Sequence, residues 1–136
     1  MFLLDTMVLS ESGKRAPDRR VLAWQETVAA DTLFVSVITL GEIEAGIVRQ
    51  RAIDPDFAGR LDRWASGLQE AFAARTIPVT IAVALRWGEL YTRLKRRDTD
   101  LLIAATALEH DLTVVTRNIR HFEPTGAKTL DPYEAP

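Results

Sequence analysis

Four polar residues that could bind a metal ion occupy similar positions relative to the apolar segments of this sequence. Asp5 directly follows a short apolar run, and Asn118 follows a second one. Glu42 and Asp100 fall in the first turns of two segments with helical spacing. Carboxylate and amide oxygens suit Mg²⁺ or Mn²⁺ better than zinc, and such an ion activates water and accepts phosphate oxygens. The residue types therefore favour metal-assisted hydrolysis of a phosphodiester.

The segments that carry these residues alternate between strand and helix patterns. Short apolar runs bounded by polar residues are typical of buried strands, and they predict strands at residues 2–4, 33–35, 77–79 and 113–115. Residues 128–130 are the last predicted strand. Helical spacing and capping residues predict helices at residues 7–11, 17–30, from 37 onward, from 55 to 72, from 81 onward and at 98–109. This alternation predicts an α/β fold with a mainly parallel central sheet and helices on both faces.

In such a sheet, the carboxyl ends of the strands and the amino ends of the following helices lie along one edge. We therefore expect the four polar side chains to meet in one cleft. Each also has a structural interpretation that the sequence leaves open. The alternatives are a helix N-cap for Asp5, a capping box with Thr39 for Glu42, the helix dipole for Asp98 and Asp100, and a turn for Asn118.

The clearest amphipathic stripe in the chain lies between residues 55 and 72. Its apolar members recur at helical spacing and are Phe57, Leu61, Trp64, Leu68 and Phe72. The stripe is interpreted first as core, and the alternative is an interface for a second subunit or a partner helix.

Length and composition predict one domain, spanning residues 1–136, of an ordinary globular type. Hydrophobic residues make up 47% and charged residues 26% of the 136 positions. The chain has no cysteine, which excludes disulfides, zinc–thiolate sites and thiol nucleophiles. No signal-peptide pattern or long apolar run occurs, so we expect a cytoplasmic protein without membrane contact. The net charge of −2 argues against general affinity for nucleic acid, and any such binding must use local patches.

Local basic clusters occur near the candidate acids. Residues 86–97 carry five basic side chains against one acidic, and they directly precede Asp98 and Asp100. A second cluster lies at residues 14–20, and Arg117, Arg120 and His121 flank Asn118. Such runs form either solvated faces or surfaces that attract phosphate. The predicted substrate-binding residues beside the acids are Thr6, Arg97, Thr116 and Arg117.

Four segments of the sequence, in order, resemble PIN-domain ribonucleases. They are residues 4–11, 36–47, 100–107 and 112–118, and the resemblance covers essentially the whole chain. It is strongest to VapC toxins of bacterial toxin–antitoxin modules, in their FitB-like branch. The resemblance implies a PIN domain with Mg²⁺-dependent endoribonuclease activity, for which Mn²⁺ can substitute. It also implies a homodimer and a VapB-type antitoxin that blocks cleavage.

The resemblance also assigns roles to particular residues. Asp5, Glu42 and Asp100 match the three acids of the family, and Asp5 and Asp100 match its metal-binding pair. Asn118 falls where a fourth acid often lies, and it completes the predicted catalytic set. His121 likewise stands where Asp is common. Two other functions stay open, namely a weakly active PIN domain that binds RNA or a partner, and a metal-dependent phosphatase of small molecules.

Overall fold

Five short strands, all paired in parallel, form the sheet at the centre of the computed structural model, which describes residues 1–134. They are β1 (Phe2–Leu4), β2 (Leu33–Ser36), β3 (Thr76–Ile77), β4 (Thr113–Val115) and β5 (Thr129–Leu130). Their order across the sheet is β3-β2-β1-β4-β5. The strand order therefore reverses at β1, whose carboxyl end opens at the point where ligands bind in folds of this kind.

Seven α-helices connect the strands within residues 1–134. They are α1 (Thr6–Ser10), α2 (Arg19–Glu26), α3 (Val37–Arg51), α4 (Pro55–Ala71), α5 (Ile81–Leu94), α6 (Thr99–His110) and α7 (Ile119–Phe122). The predicted starts of α3, α4 and α5 are confirmed, because Ser36, Asp54 and Thr80 accept hydrogen bonds from first-turn N–H groups. None of the described helices combines the length and the apolar character needed to cross a membrane.

Helices cover both faces of the sheet, and each face has its own core. Successive residues of β1 point in opposite directions, so Leu3 and Leu4 enter different clusters. Leu3 packs with buried residues of α5 and α6, whereas Leu4 packs with buried residues of α1 and α3. Burying one such leucine side chain contributes about 1.5–3 kcal/mol. The predicted α/β fold with a parallel sheet is confirmed.

The amphipathic stripe of α4 faces the core over most of its length. Leu61, Trp64, Leu68 and Phe72 are partly buried against the cluster that contains Leu4. Trp64 also donates a hydrogen bond from Nε1 to Ser12 Oγ at 3.0 Å. A Cβ at Gly13 would lie 2.8 Å from Trp64 Cε2, so the glycine is required for this close approach. The core interpretation of the stripe is therefore correct for these four residues.

Most predicted elements agree with those observed to within one residue, but two differ by more or for a clear local reason, and one further helix is present. Strand β3 is Thr76–Ile77 instead of residues 77–79, because Pro78 has no N–H to donate to the neighbouring strand. Helix α2 covers only Arg19–Glu26 within the predicted 17–30, since Asp18 caps its start. Helix α7 was not predicted, because four residues are too few to show helical periodicity.

Candidate active site

Asp5 lies at the carboxyl end of the central strand β1 and is only 7% exposed. Its Oδ1 accepts the backbone N–H of Thr6 at 2.8 Å, and its Oδ2 accepts the Thr116 hydroxyl at 2.7 Å. Burial raises the pKa of Asp5 above 3.8, and although the Thr116 hydrogen bond lowers it, the negative charge of Asp100 raises it further. Asp5 is therefore both the cap of α1 and a carboxylate whose ionised form is incompletely compensated.

Glu42 is held by hydroxyl groups from two other elements. Thr6 donates to Glu42 Oε1 at 2.9 Å, and Thr99 donates to Oε2 at 3.1 Å. The capping box with Thr39 is not formed, because Ser36 caps α3 and the buried Thr39 hydroxyl has no partner among the described residues. Glu42 instead connects the starts of α1 and α6 to α3, and this carboxylate faces the same edge of the sheet as Asp5.

Two acids at the start of α6 meet the imidazole of His121. His121 Nδ1 lies 2.6 Å from Asp100 Oδ2, and Nε2 lies 3.6 Å from Asp98 Oδ1. Asp98, Asp100 and His121 each offer one ligand atom, and these atoms lie within 4.8 Å of one another. Asp5 and Glu42 are not part of this close group, so it differs from the predicted metal-binding pair of Asp5 and Asp100.

Asp98 does not serve as a side-chain cap, although it occupies the N-cap position of α6. Both of its carboxylate oxygens accept hydrogen bonds from Arg96, from Nε and Nη2, each at 2.9 Å. These bonds lower the pKa of Asp98 below 3.8. Arg96 also donates to the His121 carbonyl oxygen at 2.8 Å, so one guanidinium fixes both Asp98 and α7. The helix-dipole interpretation alone does not account for these contacts.

The remaining predicted residues have different positions relative to the acids. The hydroxyls of Thr6 and Thr116 bond to Glu42 and Asp5, so these two threonines hold the acids in place. Arg97 stacks over the ring of Tyr91, with Cζ 4.6 Å from the ring centroid. Arg117 stacks over the ring of Tyr133 at 3.9 Å. Neither arginine forms an ion pair with an acid within residues 1–134.

Asn118 is exposed at the start of α7. Its backbone N–H donates to the Thr116 hydroxyl at 3.0 Å, whereas its side chain makes no hydrogen bond within the described part of the chain. The turn interpretation describes this residue well. A catalytic role for its side chain stays a prediction.

Several residues of the site, including Asp98 and Arg96, were not among the predicted functional residues. His121 lies three positions after Asn118, and that spacing could have placed it one helical turn further along the same element. Thr99 carries no such signal beyond its position between Asp98 and Asp100.

The donor set fits a divalent metal ion. Carboxylate oxygens dominate, they suit hard cations, and one imidazole nitrogen is available. A cation would also stabilise the ionised form of Asp5, which burial and Asp100 disfavour.

A groove of about 610 Å³ opens beside these acids. Thr6 and Glu42 line the end nearest the site. Apolar residues form much of its wall, among them Ile47, Phe57 and Trp64. Three basic side chains also line it, namely Lys14, Arg15 and Arg60. The groove could therefore accept an amphipathic segment that carries negative charge.

Comparisons with known proteins place this arrangement in a family. VapC ribonuclease Y4jK of Sinorhizobium fredii is 33% identical, over 98% of this chain and 99% of that protein. The crystal structure of FitAcB from Neisseria gonorrhoeae superposes with a TM-score of 0.87 at 28% identity, over 99% of this chain and 100% of that chain. A toxin–antitoxin complex from Klebsiella pneumoniae gives 0.71 at 25% identity, over 99% and 100% of the two chains. The family model for the PIN domain matches residues 2–127 of the sequence, and the chain therefore belongs to the PIN domain family.

Proposed function

We propose that this chain is a metal-dependent endoribonuclease and the toxin of a type II toxin–antitoxin system. The observation that carries the proposal is the convergence of Asp5, Glu42 and Asp100 at the carboxyl edge of the sheet, where Asp100 disfavours ionisation of the buried Asp5. Carboxylates arranged against each other in this way are typical of functional sites. Full-length similarity to a VapC ribonuclease supports RNA as the substrate.

In the proposed mechanism, Asp5 and Asp100 hold the divalent ion, and Mg²⁺ is the proposed ion with Mn²⁺ as a substitute. When bound, such an ion lowers the pKa of water and neutralises charge on the phosphate. Thr116 and the Thr6 N–H fix the Asp5 carboxylate, and Thr6 and Thr99 fix Glu42 beside it.

Water attacks phosphorus and the bond to the 3′ oxygen breaks, which leaves a 3′-hydroxyl and a 5′-phosphate. The exposed arginines Arg97 and Arg117 attract the RNA backbone, and the exposed Asn118 completes the proposed catalytic set with Asp5, Glu42 and Asp100. Cleavage takes place in the cytoplasm, where RNA is available.

The proposed partner is a VapB-type antitoxin that binds in the groove beside Glu42. The apolar wall of the groove fits one face of an antitoxin helix, and the basic side chains of Lys14, Arg15 and Arg60 fit acidic side chains of that helix. Similarity to a chain of a toxin–antitoxin complex supports such a partner. We also propose a homodimer in isolation, and a monomer by light scattering at high concentration would contradict it.

The metal requirement tests the proposed activity directly. RNA cleavage should appear with Mg²⁺ or Mn²⁺ and disappear in excess chelator, while circular dichroism shows an unchanged fold. Undiminished cleavage in excess chelator would contradict the mechanism. A small phosphate ester should not be hydrolysed under the same conditions, and its hydrolysis without RNA cleavage would instead indicate a phosphatase.

A further inference from the structure

Within the described part of the chain, His121 is the one residue with a nitrogen atom able to bind a metal ion that lies beside the acids at the start of α6. Its side chain is 35% exposed, so it is accessible from solvent at the mouth of the site. Nδ1 lies 2.6 Å from Asp100 Oδ2, which is a hydrogen bond, so an ion held by both atoms would take the place of the proton between them. A residue this close to a proposed metal ligand either pairs with it or shares its ion.

The position of the imidazole is fixed by a hydrogen bond to the His121 carbonyl oxygen and by the burial of the neighbouring residue. Arg96 donates to the His121 carbonyl oxygen at 2.8 Å, and the next residue, Phe122, is completely buried. These two contacts fix α7 against the start of α6. The ring therefore reaches Asp100 from a supported position, as a metal ligand requires.

The second ring nitrogen faces a carboxylate that already has a partner. Nε2 lies 3.6 Å from Asp98 Oδ1, and Arg96 bonds to both oxygens of Asp98. At 3.6 Å this contact is too long for a hydrogen bond, and it is an ion pair only when the imidazole is protonated. Asp98 is thus held by Arg96, and His121 Nδ1 and Asp100 are the atoms of this group left for an ion.

We infer that His121 Nδ1 is a metal ligand beside Asp100, and that it makes the site prefer Mn²⁺ or Co²⁺ to Mg²⁺. The inference rests on the proposed metal-dependent function and refines it. Imidazole binds first-row transition ions better than it binds Mg²⁺, which prefers oxygen ligands and keeps its waters. A site with this nitrogen donor discriminates between ions that an all-carboxylate site would treat more equally.

The test is metal binding without RNA, measured by calorimetry and by pulsed electron paramagnetic resonance of bound Mn²⁺. The wild-type chain should bind Mn²⁺ and Co²⁺ more tightly than Mg²⁺ and show nitrogen coupling to Mn²⁺. His121→Ala should remove that coupling and weaken Mn²⁺ binding by at least about tenfold, because loss of a residue that merely orients a ligand already costs that much, and the effect on Mg²⁺ should be smaller. His121→Asp should restore Mg²⁺ binding while the nitrogen signal stays absent.

His110 provides a matched control, because it is exposed at the opposite end of α6. His110→Ala should keep the nitrogen coupling and both affinities. Absence of coupling in the wild type, or Mn²⁺ affinity unchanged in His121→Ala, would overturn the inference. Thermal melting checks that each variant folds, and His121→Asn, with a side chain closer in size, replaces the alanine variant if that one does not.

RNA cleavage is measured separately on the same samples. Nitrogen coupling without any RNA cleavage would support the ligand and contradict the proposed function. Metal-dependent RNA cleavage together with unchanged Mn²⁺ affinity in His121→Ala would support the proposed function and contradict His121 as a ligand.

Discussion

Two buried carboxylates lie at the two ends of α1, and their surroundings have opposite effects on them. Asp5 precedes the helix and is 7% exposed, while Glu11 follows it and is 3% exposed. Burial disfavours the ionised form of both. The pKa of Asp5 is raised, as burial alone would predict, whereas the pKa of Glu11 is lowered below 4.5 in spite of its burial. Burial alone therefore does not decide the state of a carboxylate in this molecule.

The difference lies in the groups that surround each carboxylate. Glu11 accepts hydrogen bonds from Lys14 Nζ at 2.7 Å, the Asp18 N–H at 3.0 Å and the Tyr133 hydroxyl at 2.9 Å. These bonds together outweigh the desolvation of Glu11. From the residues that the structure describes, Asp5 accepts only two hydrogen bonds, and Asp100 adds a like charge nearby. Glu11 is satisfied by the fold, while Asp5 would gain from a bound cation.

The largest expected effect is the loss of RNA cleavage when Asp100, the acid beside Asp5, is neutralised. Asp100→Asn should abolish RNA cleavage, because it removes a proposed ligand. It should leave the melting temperature unchanged or raised, because it removes a charge that opposes Asp5. Metal-dependent cleavage assays and thermal melting of the metal-free chain measure the two effects.

Asp98→Asn is the matched control within the same helix turn. The substitution weakens the bidentate pairing with Arg96, so melting should fall slightly, while most of the RNA cleavage activity is kept. Equal cleavage by the Asp98 and Asp100 variants would remove the distinction between them. Inactivity of Asp98→Asn alone would move the ligand two residues upstream.

Asp5→Asn tests the uncompensated carboxylate itself. The amide oxygen can still accept from the Thr6 N–H or the Thr116 hydroxyl, but the buried charge is gone. We expect no cleavage and a higher melting temperature in the absence of metal. A lower melting temperature would mean that the Asp5 charge stabilises the fold, and the contrast with Glu11 would then be wrong.

Glu11→Gln should have the opposite result, with cleavage retained and stability lost. The glutamine weakens three hydrogen bonds to a buried acceptor, so urea unfolding should show a loss of about 1–3 kcal/mol. Because the folded pKa of Glu11 lies below its unfolded value, its contribution is complete above about pH 4.5 and is lost as pH falls through the folded pKa. The variant should therefore lose less stability than the wild type on acidification, and equal acid sensitivity would contradict this.

The smallest expected effect comes from Tyr133→Phe. Burial and Glu11 raise the pKa of Tyr133, so its hydroxyl stays protonated and donates. Removing that one donor should cost about 0.5–1.5 kcal/mol in urea unfolding, while the ring still supports Arg117. Cleavage should be unchanged. A loss as large as that of Glu11→Gln would mean that Tyr133 alone accounts for the compensation.

The predictable parts of this molecule are those determined by neighbouring residues. The apolar runs of β1, β2 and β4 and the capping residues Ser36, Asp54 and Thr80 are local signals, and the structure has them where expected. The placement of Asp5 and Glu42 along one edge followed from the parallel sheet.

The contacts between side chains could not be predicted in this way. Thr99 bonds to Glu42 across 57 positions, and His121 meets Asp100 across 21. Such pairs depend on how helices pack and on rotamers, which no periodicity in the sequence records. The same reason explains why Asn118, which the motif placed with the acids, lies at the surface without a side-chain hydrogen bond to the described residues.

The central position of β1 also sets when the site can assemble during synthesis. β1 is made first, but its second neighbour in the sheet, β4, is made more than a hundred residues later. Thr116, which fixes Asp5, and His121 follow that strand. At about 5–20 residues per second, a ribosome spends several seconds making a chain that has Asp5 but no complete site. We therefore expect the proposed RNA cleavage to be absent while most of the chain is being translated, and absent also from any product truncated before β4.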